Sequence, residues 1–179
     1  ERAAEILTLK NRGLAQLEEG KNREAQAAFA KLASLVPGDP LPYADGAVAT
    51  LRAGDPAAAR RLLARAESAG PPRADLFAIA AAIAEARNDA GGARAMLAKA
   101  AALAPKDLES RWRWIRSAEI DPSAKGDVAT ATRYLSEIVR ESPANVPAWM
   151  KLLLARISAG DGAAARDAEA TLEKVLAPA

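Results

Sequence analysis

Apolar residues recur along this chain at three- and four-residue steps, interrupted at regular intervals by glycine and proline. Ile6, Leu7, Leu9, Leu14 and Leu17 fall on overlapping faces of one helix over residues 2–18. After the turn Glu18-Glu-Gly20-Lys-Asn22 the same spacing resumes over 23–36 with Ala25, Ala28, Phe29, Leu32 and Leu35. Pro37-Gly-Asp-Pro40 ends that helix, because proline cannot continue a helix and restricts the residue before it. A third helix starts at Pro40 or Leu41 and runs through Tyr43, Ala47 and Leu51 to Arg52. Asp55 is placed to cap the fourth, with Pro56 at its first position. Ala59, Leu62, Leu63 and Ala66 line that helix, which stops at Gly70-Pro-Pro72. Phe77, Ala81 and Ala84 predict a fifth helix, and Ala93, Met96, Leu97 and Ala100 a sixth, with Asn88-Asp-Ala-Gly-Gly92 as the turn between them. Helices over 107–119 and 126–141 follow, joined by the turn Ile120 to Gly126. A last pair carries Trp149, Leu152 and Ala165 and is divided at Gly160-Asp161.

The pairs repeat. Ala25-x3-Phe29 and Pro37 return as Ala59-x3-Leu63 and Pro71, then as Ala93-x3-Leu97 and Pro105, with the prolines 34 residues apart. Such a period is the signature of stacked helical hairpins. From Pro105 to Pro143 the distance is 38, and the four extra residues are expected in the turn Ile120 to Gly126 and just before Trp112. The repeats run over 6–39, 40–73, 74–106, 107–144 and 145–179, within a single domain spanning 1–179. In the fifth, Glu169 stands where an apolar residue belongs.

Composition narrows the chemistry. Half of the residues are hydrophobic but only 4% are aromatic, so alanine supplies most of the apolar surface and lets helices approach closely. There is no cysteine and no histidine, which excludes disulfides, thiol nucleophiles, imidazole bases and zinc sites built from those residues. The net charge of +2 comes from interspersed signs, not from a basic face. No apolar run reaches the roughly 18–20 residues of a membrane span. The first residue is Glu1, which suggests a trimmed or processed piece of a longer protein. Acidic residues do not assemble a catalytic pair: Glu18, Glu19 and Asp55 sit in or beside turns, and Glu109 and Glu119 are about 15 Å apart by helical rise. Gly91-Gly92 lacks the strand that a phosphate loop needs. No catalysis, cofactor or metal is expected.

The recurring slots carry a resemblance. The chain resembles a tetratricopeptide (TPR) array, whose pattern is W-x2-L-G-x2-Y, then A-x3-F, then P. Its opening slots read Leu9-x2-Arg12-Gly13, Tyr43-x2-Gly46-Ala47, Phe77-x2-Ala80-Ala81, Trp112-x2-Ile115 and Trp149-x2-Leu152. The tyrosine slot is lost throughout, as Gln16, Thr50, Ala84, Glu119 and Arg156. The resemblance implies an all-α, TPR-type α-solenoid, a right-handed superhelix of antiparallel helix pairs, with the first helix of each pair lining a concave groove. It implies a protein–protein interaction module that binds a partner peptide, a helix, or an adjacent domain of the same parent chain. The composition also resembles TPR segments of larger bacterial envelope proteins, which points to a periplasmic or envelope setting.

In the 34-residue register the groove stripe holds Lys10, Leu14, Asp45, Val48, Arg52, Ile79, Trp112, Arg113, Arg116, Met150 and Lys151. Leu154 and Ile157 extend it, and Leu14, Val48 and Leu154 could equally pack between neighbouring repeats. Members of the family that clamp a terminal carboxylate use Lys and Asn; here Lys10 is followed by Asp45 and Asp75, which would repel one. Arg111-Trp-Arg-Trp-Ile-Arg116 is the most unusual stretch. Trp112 and Arg116 share a helix face and would form an aromatic and basic hot spot; alternatively one tryptophan fills the core slot and the arginines are solvated. Nucleic-acid binding through Arg111, Arg113 and Arg116 is a further alternative, opposed by the scattered acids. Leu172, Val175 and Leu176 close the last helix with no polar helix after them, so this end is expected to be covered by another domain, a partner, or another copy in a homo-oligomer.

Overall fold

The computed structural model describes residues 1–120 and 127–177, with the backbone alone for 118–120. Every regular element among these residues is an α-helix. The order is α1 (Arg2–Glu18), α2 (Asn22–Leu35), α3 (Pro40–Arg52), α4 (Pro56–Ser68), α5 (Ala74–Ala86), α6 (Ala90–Leu103), α7 (Leu108–Ile120), α8 (Val128–Glu141), α9 (Val146–Ser158) and α10 (Gly162–Leu176). These match the helices expected from the apolar spacing to within a residue or two. The turn expected over 120–126 lies almost wholly outside the described residues.

Local chemistry sets the boundaries. Asp55 accepts a hydrogen bond from the Ala58 amide at 2.8 Å, as expected. Asp39, Asp89, Asp127, Asn145 and Asp161 cap α3, α6, α8, α9 and α10 in the same way. Gly20, Gly54 and Gly160 close the first helices of their hairpins in the left-handed region, with φ of +74°, +92° and +73°. Asn88 takes that place in the third hairpin, with φ 58°. Gly91-Gly92 is therefore not the turn; both residues lie in the first turn of α6. Gly92 leaves room for its cap, since a β-carbon there would stand 2.2 Å from a carboxylate oxygen of Asp89.

The chain forms two compact units, Glu1–Ala104 and Pro105–Ala179. In the first, α1 packs on α2, α3 on α4 and α5 on α6, while α2 and α4 each meet the next hairpin. One core joins Leu9, Leu17, Ala25, Phe29, Leu32 and Ala49. A second joins Tyr43, Ala44, Ala47, Ala59, Leu63 and Ala66 to Leu76 and Ile83 of α5. The repeated alanines Ala25, Ala59 and Ala93 are fully buried where paired helices cross. In the second unit, α7 packs on α8, α8 on α9 and α9 on α10, around Trp114, Ile115, Tyr134, Leu135, Ile138, Ala148 and Leu152.

Two expectations change in the second unit. α7 begins and ends 34 residues after α5, whereas α8 begins 38 after α6. All four extra residues thus fall after α7 and none before Trp112. Arg111, not Trp112, occupies the slot of Tyr43 and Phe77, and Trp114 is the buried tryptophan, at 2% exposure. The arginines are not all solvated either. Arg111 is buried, donates to Glu137 of α8 and to the Asp107 carbonyl (2.9 Å), and lies 5.6 Å from the centre of the Tyr134 ring. In the fifth hairpin Glu169 is exposed, while Ala165 and Ala168 hold the packing register.

The slot facing Arg111 explains the exchange. In the second and third hairpins the first helix gives an aromatic ring and the second gives a cation. Arg65 lies 4.5 Å from the Tyr43 ring centre, and Lys99 lies 5.5 Å from that of Phe77. In the fourth the pair is Arg111 with Glu137, an ion pair replacing a cation over a ring.

Candidate interaction surface on the first helices of the hairpins

The first helices of the hairpins, α1, α3 and α5 in one unit and α7 and α9 in the other, carry all eleven candidate residues. In the first compact unit Lys10 is exposed and lies within electrostatic reach of half-buried Asp45. Burial pushes the Asp45 carboxyl above its ordinary value of 3.8; Lys10 pulls it down, Asp75 raises it and Arg73 lowers it. Asp75 is held by the Arg73 guanidinium, with Nε donating at 3.0 Å. The face therefore carries a ladder of Lys10, Asp45 and the Arg73–Asp75 pair.

A carboxyl whose folded-state pKa is raised favours the protonated form, so its contribution to stability is lost as pH rises through that pKa. Asp45→Asn is accordingly expected to raise the melting temperature at neutral pH. The advantage should close below pH 3.8, where Asp45 is neutral in both states. Melting curves at the two pH values check the sign.

Of the remaining candidates in this unit, Val48, Ile79 and Arg52 have partners and Leu14 is exposed. Leu14 is 37% exposed. Val48 is half-buried against the core of the first hairpin, and Ile79 against the core of the second. Arg52 is exposed, but its guanidinium donates to the Leu17 carbonyl at 3.2 Å and ties α3 to the end of α1. The surface is thus partly occupied in holding the hairpins together.

In the second unit Trp112 is half-buried and Arg116 exposed, one helical turn apart as expected. Arg116 donates to Glu109 at 3.1 Å, both side chains being well exposed, a pairing the sequence did not flag. Arg113 and Lys151 are half-buried. Burial of Arg111 removes it from any basic surface. On α9, Met150, Leu154 and Ile157 are 52%, 62% and 59% exposed, an apolar stripe at helical spacing. Among the described residues no acidic side chains are grouped to hold a metal ion, and no helix is long and apolar enough to cross a membrane.

One feature escaped the apolar pattern. A cleft of about 460 Å³ opens between α2 and α4, with α3 as its floor. Phe29, Ala33, Pro42, Gly46 and Leu62 line it, with Arg65 at the rim. Its sequence signal is the run of small residues Ala30, Ala33 and Gly46, which periodicity reads only as helix.

These hairpins have the TPR-type fold. The crystal structure of MamA protein superposes with a TM-score of 0.71 at 14% identity, over 97% of this chain and 92% of its own. YrrB, described as a TPR protein with an unusual peptide-binding site, gives 0.67 at 15% identity over 92% and 82%. A chain of the Naa15/Naa10 complex bound to HypK-THB gives 0.80 at 15% identity, over 99% of this chain and 26% of its own. At such identities the likeness establishes the fold alone. No family model and no curated protein sequence matches the chain.

Proposed function

We propose that this chain is a non-catalytic interaction module whose first helices hold an apolar peptide or helix from a protein partner, or from another domain of its parent. The observation that carries the reading is the apolar stripe that α9 leaves uncovered in the second unit, with exposed Leu14 on α1 in the first. Leu14, Met150, Leu154 and Ile157 are exposed although the alanine-rich interior would accept apolar side chains. The first helices also carry charged groups, Lys10 and Asp45 in one unit and Arg116 and Lys151 in the other, which suits a segment with both apolar and polar positions. The peptide-binding site named for YrrB, on the same fold at 15% identity, agrees with this reading.

Trp112 and Arg116 are the proposed hot spot in the second unit. Replacing both with alanine is expected to weaken partner capture about tenfold or more while leaving the helical circular dichroism intact, since neither side chain is in the core. The measurement is a pull-down from native extract followed by titration of the captured partner. Unchanged affinity with intact folding would remove Trp112 and Arg116 from the site.

A further inference from the structure

The cleft between α2 and α4 differs from its counterpart one repeat on. That counterpart is a smaller hollow of about 220 Å³ lined by Glu67, Pro71, Leu76 and Phe77, which stand in the slots of Ala33, Pro37, Pro42 and Tyr43. Glu67 brings its own carboxylate and pairs at 2.9 Å with Arg60, which stands in the slot of Gln26. In the α2–α4 cleft neither member of that pair is present. Ala33 and Gln26 hold the two slots, no acidic residue lines the walls, and the volume is about 460 Å³. The charged residue that lines it is Arg65, whose guanidinium lies 4.5 Å from the centre of the Tyr43 ring and donates to the Tyr43 hydroxyl at 3.2 Å. Tyr43 is buried and its hydroxyl donates in turn to the Pro37 carbonyl at 3.3 Å, so the guanidinium rests on a fixed base. Among the described residues no carboxylate pairs with it. Gln26 is half-buried, and its amide has no hydrogen-bond partner among those residues either.

We propose that the α2–α4 cleft is a docking site for an extended segment of a partner protein in which a bulky apolar residue is flanked by acidic ones. The apolar side chain enters among Phe29, Gly46 and Leu62, and a carboxylate reaches Arg65. Charge complementarity selects the acid. One repeat on, the chain answers a guanidinium with Glu67; here the guanidinium is left for a carboxylate from outside, which its planar fork can hold through two hydrogen bonds. The volume lies in the range of about 300–1,000 Å³ typical of pockets that take one compact group, and so fits a side chain with its neighbours. The Gln26 amide offers both a donor and an acceptor to a peptide group, and an extended segment has such groups free whereas a helix does not. Both walls pack on α3, so the cleft is shaped from both sides by the chain's own helices. It uses none of the residues proposed for the first-helix surface, so the two readings stand or fall separately.

The probe is a synthetic peptide, Gly-Ser-Glu-Phe-Glu-Ser-Gly, acetylated and amidated at its ends. It is titrated calorimetrically into the full chain beside a copy with glutamine for both glutamates. The glutamate peptide is expected to bind about fivefold more tightly at low salt, since Arg65 is exposed and its attraction is partly screened. Arg65→Gln should remove that preference. Ala30→Trp should abolish binding of both peptides by filling the cleft from an exposed position on its wall. The Trp112/Arg116 variant should bind the glutamate peptide as the parent does. Ala30 and Arg65 are both exposed, so circular dichroism of their variants is expected to match the parent, and a loss of binding then reports the site and not the fold. No detectable binding of the glutamate peptide, equal binding of the two peptides, a preference that survives Arg65→Gln, or binding that survives Ala30→Trp overturns the proposal. So does concentration-dependent self-association that Ala30→Trp abolishes, because the cleft would then belong to a second copy.

Discussion

Glu137→Ala is expected to cost the second compact unit about 2–4 kcal/mol, because it leaves the Arg111 guanidinium buried without its counter-charge. The Arg111 side chain is only 6% exposed and that of Glu137 29%, so the charge that remains is the deeper one. The 2.9 Å hydrogen bond to the Asp107 carbonyl satisfies one nitrogen but does not neutralise the group. The third hairpin supplies the compensating change, since it holds Phe77 and Lys99 at the same two slots. Arg111→Phe with Glu137→Lys should therefore restore stability to within about 1 kcal/mol of the parent, although Glu137→Lys alone should be worse than Glu137→Ala. All three tryptophans, Trp112, Trp114 and Trp149, lie in this unit, so urea unfolding followed by their fluorescence reads its stability directly. A double replacement no better than the sum of the single ones would show that the two slots do not act as a pair.

The same pair shows where the sequence stops being legible. Helix positions, the proline stops and the Asp55 cap follow from apolar spacing and backbone restriction, which act over a few residues and are visible locally. Placing Arg111 needed the location of four extra residues, and two alignments are possible. One matches Trp112-x2-Ile115 to the aromatic slot; the other counts 34 from Phe77 and places an arginine there. The structure follows the count, because the hairpin geometry keeps its register and a cation in the slot is tolerated once Glu137 faces it. Gly91-Gly92 belongs to α6 and not to the turn for a related reason. Asparagine adopts the left-handed conformation at modest cost, so a 34-residue count from Gly54 identifies the C-terminal cap more surely than the glycine pair beside it. The repeat register names candidate positions on the first helices, but not what each side chain does there. That Arg52 is spent on the Leu17 carbonyl, or Arg116 on Glu109, depends on reach between helices and along one, and residue type alone does not supply it.

Gly13 and Gly46 both lie inside helices packed on Phe29, yet their replacement by alanine is expected to act in opposite directions. A β-carbon on Gly13 would stand 2.7 and 2.8 Å from Cε1 and Cζ of Phe29. That ring has 0% exposure and packs with Leu9, Leu17, Ala25 and Leu32, so it can give way only toward the cleft that Phe29 lines, at the expense of the first core. Overpacking of this kind costs about 1–3 kcal/mol, and the helix preference of alanine over glycine returns about 1 kcal/mol. Contact this close with a buried ring belongs at the upper end, so Gly13→Ala should lose about 2 kcal/mol. At Gly46 the nearest atoms are Cβ of Phe29 at 3.6 Å and Cδ1 of Leu62 at 3.7 Å, ordinary van der Waals contacts. Gly46→Ala should therefore gain about 0.5–1 kcal/mol from backbone preference alone, while narrowing the cleft between α2 and α4. Combining Gly13→Ala with Phe29→Leu removes the ring atoms in conflict and should recover part of the loss, which a weakness intrinsic to α1 would not allow. Thermal unfolding by far-ultraviolet circular dichroism of the four proteins decides the matter. If Gly13→Ala is as stable as the parent, the ring is free to move, and the close crossing of α1 and α2 is not what holds the first hairpin together.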